Sequence, residues 1–246
     1  MAEDTTMRND STPIKLSRRT ALAAGVGAVA SFAAADEPGG LGPGFPIQGI
    51  DVSRWQGEVD FRKVAEAGIA FCFCKATEGL EHVDPKFTAN WPAIAAAGLI
   101  RGAYHYGRPG ADATGQADFV FDTVKPTTGD LPIVLDLEKD DGLPPAAVRT
   151  WTEVFVKRLR ERLGAPPIIY TGFYFWRDEA GDGDALGCPL WLPAYVDDPA
   201  RFVPKAWAHW SFWQYTSKGS VPGIKGNVDR DAWHGDRAAL EALRLA

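Results

Sequence analysis

From Gly49 onward, apolar and polar positions fall into two alternating patterns. Short apolar runs bounded by Gly, Pro or charged residues read as strands, and stretches with apolar residues three or four apart read as helices. Strands are predicted at Gln48–Val52, Ile69–Lys75, Leu99–Gly107, Leu131–Glu138, Pro167–Thr171, Leu190–Tyr195, Ser211–Tyr215 and Asn227–Asp231. Helices are predicted over Phe61–Ala67, Thr88–Ala97, Gln116–Thr123 and Ala146–Leu163, with a short one at Arg237–Leu245. Ala146–Leu163 carries Val148, Trp151, Val154, Phe155 and Leu159 at helical spacing. Strands alternating with helices make a parallel sheet joined by right-handed crossovers. This many strands suggests closure into a barrel. The connections after Tyr195 and Tyr215 are short or rich in Pro and Gly, so little room is left there for helices. The expected fold class is α/β: an irregular TIM-like barrel, regular in its first half and stripped of helices in its second.

The pattern changes before Gly49. Ser17–Leu22 reads SRRTAL, and an uncharged Ala/Gly/Val stretch follows over Ala21–Ala35. It is too short to cross a bilayer comfortably and has the charged-then-apolar order of a signal peptide. Paired Arg18 and Arg19 make it resemble a twin-arginine signal, with Ala33-Ala34-Ala35 as a cleavage site; an uncleaved anchor is the other reading. The expected organisation is an export signal over 1–35, a Gly/Pro-rich lead-in over 36–48 and a barrel domain over 49–246. Export to the periplasm or beyond the cell follows, with no stable membrane span once the signal is removed.

Charge narrows the partners. The net charge is -6, and no Lys/Arg run is patterned for phosphates, which argues against nucleic acid. Cysteine adds little. Three cysteines cannot all pair within one chain, and Cys72 and Cys74, two apart on one strand, are too far at Cβ for a relaxed disulfide. Buried thiols are expected, with a Cys188 bridge to one of them as the alternative.

The candidate chemistry starts at LPIVLDLE, Leu131–Glu138. Side chains alternate along a strand, so Val134, Asp136 and Glu138 share one face and Ile133, Leu135 and Leu137 the other. Two carboxylates thus leave one face, with Cα atoms about 6.5–7 Å apart. Like charges this close tend to split, one protonated and one ionised, which suits an acid beside an anionic stabiliser. A strand end whose carboxylates cap a helix or meet solvent would look the same. In a parallel barrel the active site lies at the C-terminal strand ends. Asp51, Lys75, Tyr104, Tyr106, Tyr170, Tyr195, Gln214 and Asp229 fall there too. Aromatic rings beside carboxylates suit a sugar cleft, since flat faces stack on pyranose rings. For Trp191, core packing is as good a reading. His105 is better read as a satisfied residue than as a ligand, and no His-rich spacing marks a metal site.

The motifs GIDVSRWQG, KATEG, GAYHY, LDLE, IYTG, LWLPAY, WQY and G-x-V-D-R-D-x-W occur in order from Gly49 to Trp233. In this order and spacing they resemble family 25 of the glycoside hydrolases, the Chalaropsis-type lysozymes. The resemblance implies a barrel of five β/α units and three further strands. It implies cleavage of the β-1,4 bond between N-acetylmuramic acid and N-acetylglucosamine in peptidoglycan glycan strands, by a monomer without cofactor or metal. It makes Glu138 the general acid and Asp136 the carboxylate that stabilises positive charge, either by orienting the substrate's 2-acetamido group or by attacking the anomeric carbon. Asp51 and Asp229 match the family's other two active-site acids. Tyr104, Tyr170, Trp191, Tyr195, Gln214 and, less firmly matched by motif, Lys75 would line the sugar groove. The paired thiols of FCFC are not explained by the resemblance. A non-catalytic wall-binding barrel, a metal hydrolase using His105 and a chitinase-like barrel are the competing readings. The last would need a longer D-x-x-D-x-D-x-E strand, which PIVLDLEK does not supply.

Overall fold

The structure is a computed structural model that describes residues 44–246. The expected export segment and most of the lead-in lie outside the described residues. The strands are β1 (Gln48–Val52), β2 (Phe71–Glu78), β3 (His82–Val83), β4 (Ile100–Tyr106), β5 (Val134–Asp136), β6 (Ile168–Tyr170), β7 (Leu190–Pro193), β8 (Phe212–Gly219) and β9 (Val228–Trp233). The helices are α1 (Phe61–Glu66), α2 (Phe87–Ala96), α3 (Ala113–Val124), α4 (Pro145–Leu163) and α5 (Arg237–Ala242). In the sheet β1 pairs with both β9 and β2, so eight strands close in the order β1-β2-β4-β5-β6-β7-β8-β9, and β3 hangs on the edge of β2. This is the irregular α/β barrel expected.

β3 is not among the expected strands, and β2 and β8 run on to Glu78 and Gly219. Two further departures shape the site. The LPIVLDLE strand is regular only over Val134–Asp136, so Glu138 stands just past its end. The final strand, β9, runs antiparallel to both β1 and β8. A hairpin can join antiparallel neighbours directly, whereas a parallel pair needs a long crossover. The Gly- and Pro-bearing turn between Gly219 and Val228 is that hairpin.

Alternation along the strands sorts the core into layers. Ile50, Cys72, Cys74, Ala103, Ile133, Leu135 and Ile169 face outward and pack with Val64, Ile94, Val120, Phe155 and Leu159 of the helices. Phe71, Phe73, Tyr104, Val134, Ile168, Tyr170, Trp191, Phe212 and Trp233 face inward and fill the barrel. Gly49 and Gly102 make room for this filling: a Cβ there would come within 2.2 Å of the Phe71 ring and 2.4 Å of the Phe73 ring. Around β7, β8 and β9, where helices are missing, Trp210 and Trp213 with Phe45 and Trp207 cover the outer face instead.

Helix ends are set locally. α4 begins with Pro145 in its first turn and ends at Gly164 with φ 68°, a left-handed stop that glycine adopts without steric cost. All three cysteines are buried and free, so Cys188 is not bridged. Burial raises the Cys188 thiol to about 11 and pushes those of Cys72 and Cys74 higher, which leaves them unreactive packing groups.

Candidate active site

Because β9 is reversed, its N-terminal end arrives at the same mouth as the C-terminal ends of the other ring strands. Asp51 near the end of β1, Asp136 at the end of β5, Glu138 beyond it and Asp229 at the start of β9 therefore converge. Cα partners in the ladder put Asp51 directly opposite Asp229. Parity directs them inward: Asp136 alternates with Val134, and Asp229 with Trp233, both of the inner layer. Asp51 and Asp136 are buried, while Glu138 and Asp229 are part-exposed at the opening.

Gln214 is a bracket rather than a wall. Its Nε2 donates to Asp51 Oδ2 at 2.6 Å. Its Oε1 accepts from the Tyr170 hydroxyl at 3.0 Å and the Tyr195 hydroxyl at 2.9 Å. An ionised carboxylate only accepts and a phenol can donate, so this amide has one consistent orientation. Three strands thereby hold Asp51 in one pose. Of the expected groove residues, Tyr195 is exposed, whereas Tyr104, Tyr170, Trp191 and Gln214 are buried. The buried four form the floor beneath the acids. Trp191 stacks on Phe73 with centroids 4.5 Å apart, meets Tyr170 edge-on at 4.8 Å, and donates its indole N–H to Asp231 at 2.9 Å.

Lys75 is engaged by Glu78, the acid of the KATEG motif. Its ammonium lies 2.6 Å from Glu78 Oε2 and 4.8 Å from the centre of the Tyr106 ring. A bulge between Lys75 and Thr77 resets the register, so that Glu78 faces Tyr106. Arg108 then joins Glu78 to Asp141 across the rim.

His105 points the other way and takes no part in the site. Thr77 Oγ1 lies 2.8 Å from its Nδ1, Gln116 Oε1 3.0 Å from its Nε2, and the ring stacks on Phe155. Gln116 also accepts from the Arg108 amide and donates to the Arg108 carbonyl, which fixes its orientation. The proton of His105 is therefore on Nε2, and Nδ1 accepts from Thr77. Burial lowers its pKa to about 4. No group of three or more potential metal-ligating side chains occurs among the described residues.

Two residues near the site had weak sequence signals. Asp231 sits two positions after Asp229 in VDRD and has the same inward parity, so alternation alone would have found it. Trp55 follows Asp51 in a helical turn, Arg54–Gln56, and is 73% exposed. A surface groove of about 830 Å³ lies on the flank, lined by Phe61, Ala93, Ala97 and Ile224 among others, and none of the four acids borders it.

The family model for glycosyl hydrolases family 25 matches residues 50–224. The chain belongs to that family. Lysozyme M1 of Streptomyces globisporus is 39% identical to this glycosyl hydrolase over 209 residues, covering 80% of this chain and 71% of that protein. The N,O-diacetylmuramidase of Chalaropsis sp is 32% identical, covering 74% of this chain and 96% of that one. The lysozyme from Streptomyces coelicolor superposes with a TM-score of 0.76 at 38% identity, covering 80% of this chain and 96% of its own. The family 25 lysozyme of Aspergillus fumigatus does so with 0.75 at 29%. The hydrolase thus shares its irregular barrel with bacterial and fungal lysozymes.

Proposed function

We propose that this family 25 hydrolase is an exported muramidase. It cleaves the β-1,4 bond between N-acetylmuramic acid and N-acetylglucosamine in peptidoglycan, acting outside the cytoplasm. The observation that carries this reading is a family 25 barrel with Asp51, Asp136, Glu138 and Asp229 at one mouth. The relatives named lysozyme and N,O-diacetylmuramidase support the substrate class. Export rests on the twin-arginine-like segment before Ala35.

In this reading Glu138, at the open edge, gives its proton to the glycosidic oxygen as the bond to the anomeric carbon breaks. Asp136, buried beside it, keeps its negative charge and stabilises the positive charge that develops. It does so through the substrate's 2-acetamido group or by direct attack. Water then adds at the anomeric carbon, and the Glu138 carboxylate takes up the water proton. Either route retains configuration. Asp51 and Asp229 orient and tune the pair, and the Gln214 bracket keeps Asp51 in place. Tyr195 offers an exposed ring beside the acids. Tyr104, Tyr170, Trp191 and Lys75 support the cleft from below or from its rim.

The test is digestion of purified peptidoglycan by the full chain and by Glu138→Gln, with products reduced and read by mass spectrometry. Fragments ending in reduced muramic acid, absent with the variant, are the expected result. Intact glycan with the protein still bound would favour a wall-binding barrel, and equal digestion by both would displace Glu138 as the acid.

A further inference from the structure

An exposed aromatic ring is ordinary by itself; what matters is where the exposed rings stand. Among the described residues, the large apolar side chains left exposed are Trp55, Leu80, Val83, Val154, Tyr174, Tyr195 and Val196. Val154 lies on the outer helix α4. The others follow the C-terminal ends of β1, β2, β6 and β7, on the mouth side of the barrel. Trp55 comes after β1 and Tyr174 after β6. In the ring, β2, β4 and β5 separate these two strands on one side and β7, β8 and β9 on the other. The two rings therefore rise from opposite sides of the mouth. An eight-stranded barrel is about 15 Å across at its usual strand spacing and tilt. Several pyranose rings are needed to span that distance.

Both rings are held. The Trp55 turn closes with a capping box, in which Ser53 Oγ accepts from Trp55 N and Gln56 Oε1 accepts from Ser53 N at 2.9 Å. The turn is braced outward too: Arg54 N donates to the buried Asp84 at 3.1 Å, and Gln56 Nε2 to the Asn227 carbonyl at 3.4 Å. The Arg54 guanidinium backs the Trp55 ring at 4.7 Å. Across the mouth Tyr174 packs edge-on against Phe173 and Phe202, and Arg177 lies 5.2 Å from its ring centre. Trp55 and Tyr174 are 73% and 50% exposed. A ring fixed in place before a ligand arrives loses little entropy on binding.

We infer that Trp55 and Tyr174 are opposed stacking platforms for one glycan strand, which crosses the mouth from the β1 side to the β6 side with the acids beneath its middle. This rests on the muramidase reading and extends it. The hydrolase selects for strand length, because the outermost sugars are gripped by aromatic faces on both sides of the cleavage point.

The test compares the full chain with Trp55→Ala, Tyr174→Ala, the double variant and Val154→Ala. Two substrates are used: long peptide-free glycan strands and a tetrasaccharide of the same repeat. The preference in kcat/KM for long strands is expected to fall roughly tenfold for each platform variant, through KM, as about 1.4 kcal/mol of lost stacking would give. Trp55→Phe should recover most of it, and Val154→Ala should match the unaltered chain. An unchanged preference, or equal losses on both substrates, overturns the platforms while leaving the muramidase reading intact. If the unaltered chain cuts neither substrate, that reading falls. Retention on immobilised long strands then decides the platforms: weaker retention of the Trp55 and Tyr174 variants supports them, and unchanged retention overturns them.

Discussion

Tyr104 and His105 are neighbours on β4, yet their side chains enter opposite layers that treat polarity in opposite ways. In the outer layer, between sheet and helices, His105 is sealed and neutral. Thr77 and Gln116 take up both ring nitrogens and Phe155 covers the ring. In the inner layer, four carboxylates gather at an opening, held by groups such as Gln214 and backed by an aromatic floor. A buried polar group that serves the fold is closed off by neutral partners, because an unmet hydrogen bond in that layer is costly. Groups that serve chemistry are held but left facing the mouth. The side of the sheet, not the residue type, separates the two uses.

The sharpest way to break this comparison is to change one residue on each side. Glu138→Gln should lower glycan cleavage roughly 10²- to 10⁴-fold, the usual contribution of a positioned acid. The unfolding free energy measured in urea should change by under ~0.5 kcal/mol, because the side chain is part-exposed. Gln116→Leu should do the reverse. It removes the acceptor for His105 and both bonds to the Arg108 backbone, for a loss of about 2–4 kcal/mol in stability. Activity per folded molecule should stay near that of the unaltered chain. A stability loss in the first variant, or a selective activity loss in the second, would show that the layers are not independent.

Much of this division was legible in the sequence. Period-two alternation over LPIVLDLE separates Asp136 from Leu135 correctly, because each falls on the layer its parity predicts. The barrel and its helix-poor second half follow from the spacing of apolar runs and from short connections. Long-range register was not legible. Nothing local says that β9 is antiparallel, and that reversal is what brings Asp229 opposite Asp51. The β2 bulge was hidden for the same reason, and with it the turn of Glu78 toward Lys75 and Tyr106. Gln214 reads as a sugar contact in sequence because its three partners lie on β1, on β6 and just past β7. Only closure of the barrel collects them.

The outer layer also predicts a pH effect. His105 binds its proton only near pH 4 in the folded chain, against 6.5 for an ordinary histidine, because burial disfavours the charged form. Below pH 6.5 the unfolded chain takes up a proton that the folded chain refuses. Stability is therefore lost as pH falls from 6.5 toward 4, approaching about 1.4 kcal/mol per pH unit, and this histidine contributes no slope above that window. Unfolding midpoints at pH 7 and pH 5 should differ in the unaltered chain, and the difference should shrink in His105→Gln. His234 is shifted in the same direction but is exposed and present in both proteins, so it cancels in the comparison. An identical slope with and without His105 would mean that the outer layer admits water or charge.

The smallest effect is expected outside both layers, where α3 and α4 meet solvent. Asp118 accepts from Arg158 at 2.9 Å and from Arg162 at 2.5 Å. The hydrogen bond from Arg158, then burial opposing it and the bond from Arg162, leave the Asp118 carboxyl below its ordinary range. Charges this open to water are screened, and holding long side chains in one geometry costs entropy, so such pairs contribute at most about 1 kcal/mol. Asp118→Asn should therefore lower stability by less than Gln116→Leu does, and the difference should fade in high salt. Glycan cleavage should not change. A loss that equals the Gln116 effect and survives salt would put this ion pair in the buried class, and the line between closed and open polar groups would have to be drawn outside the helices.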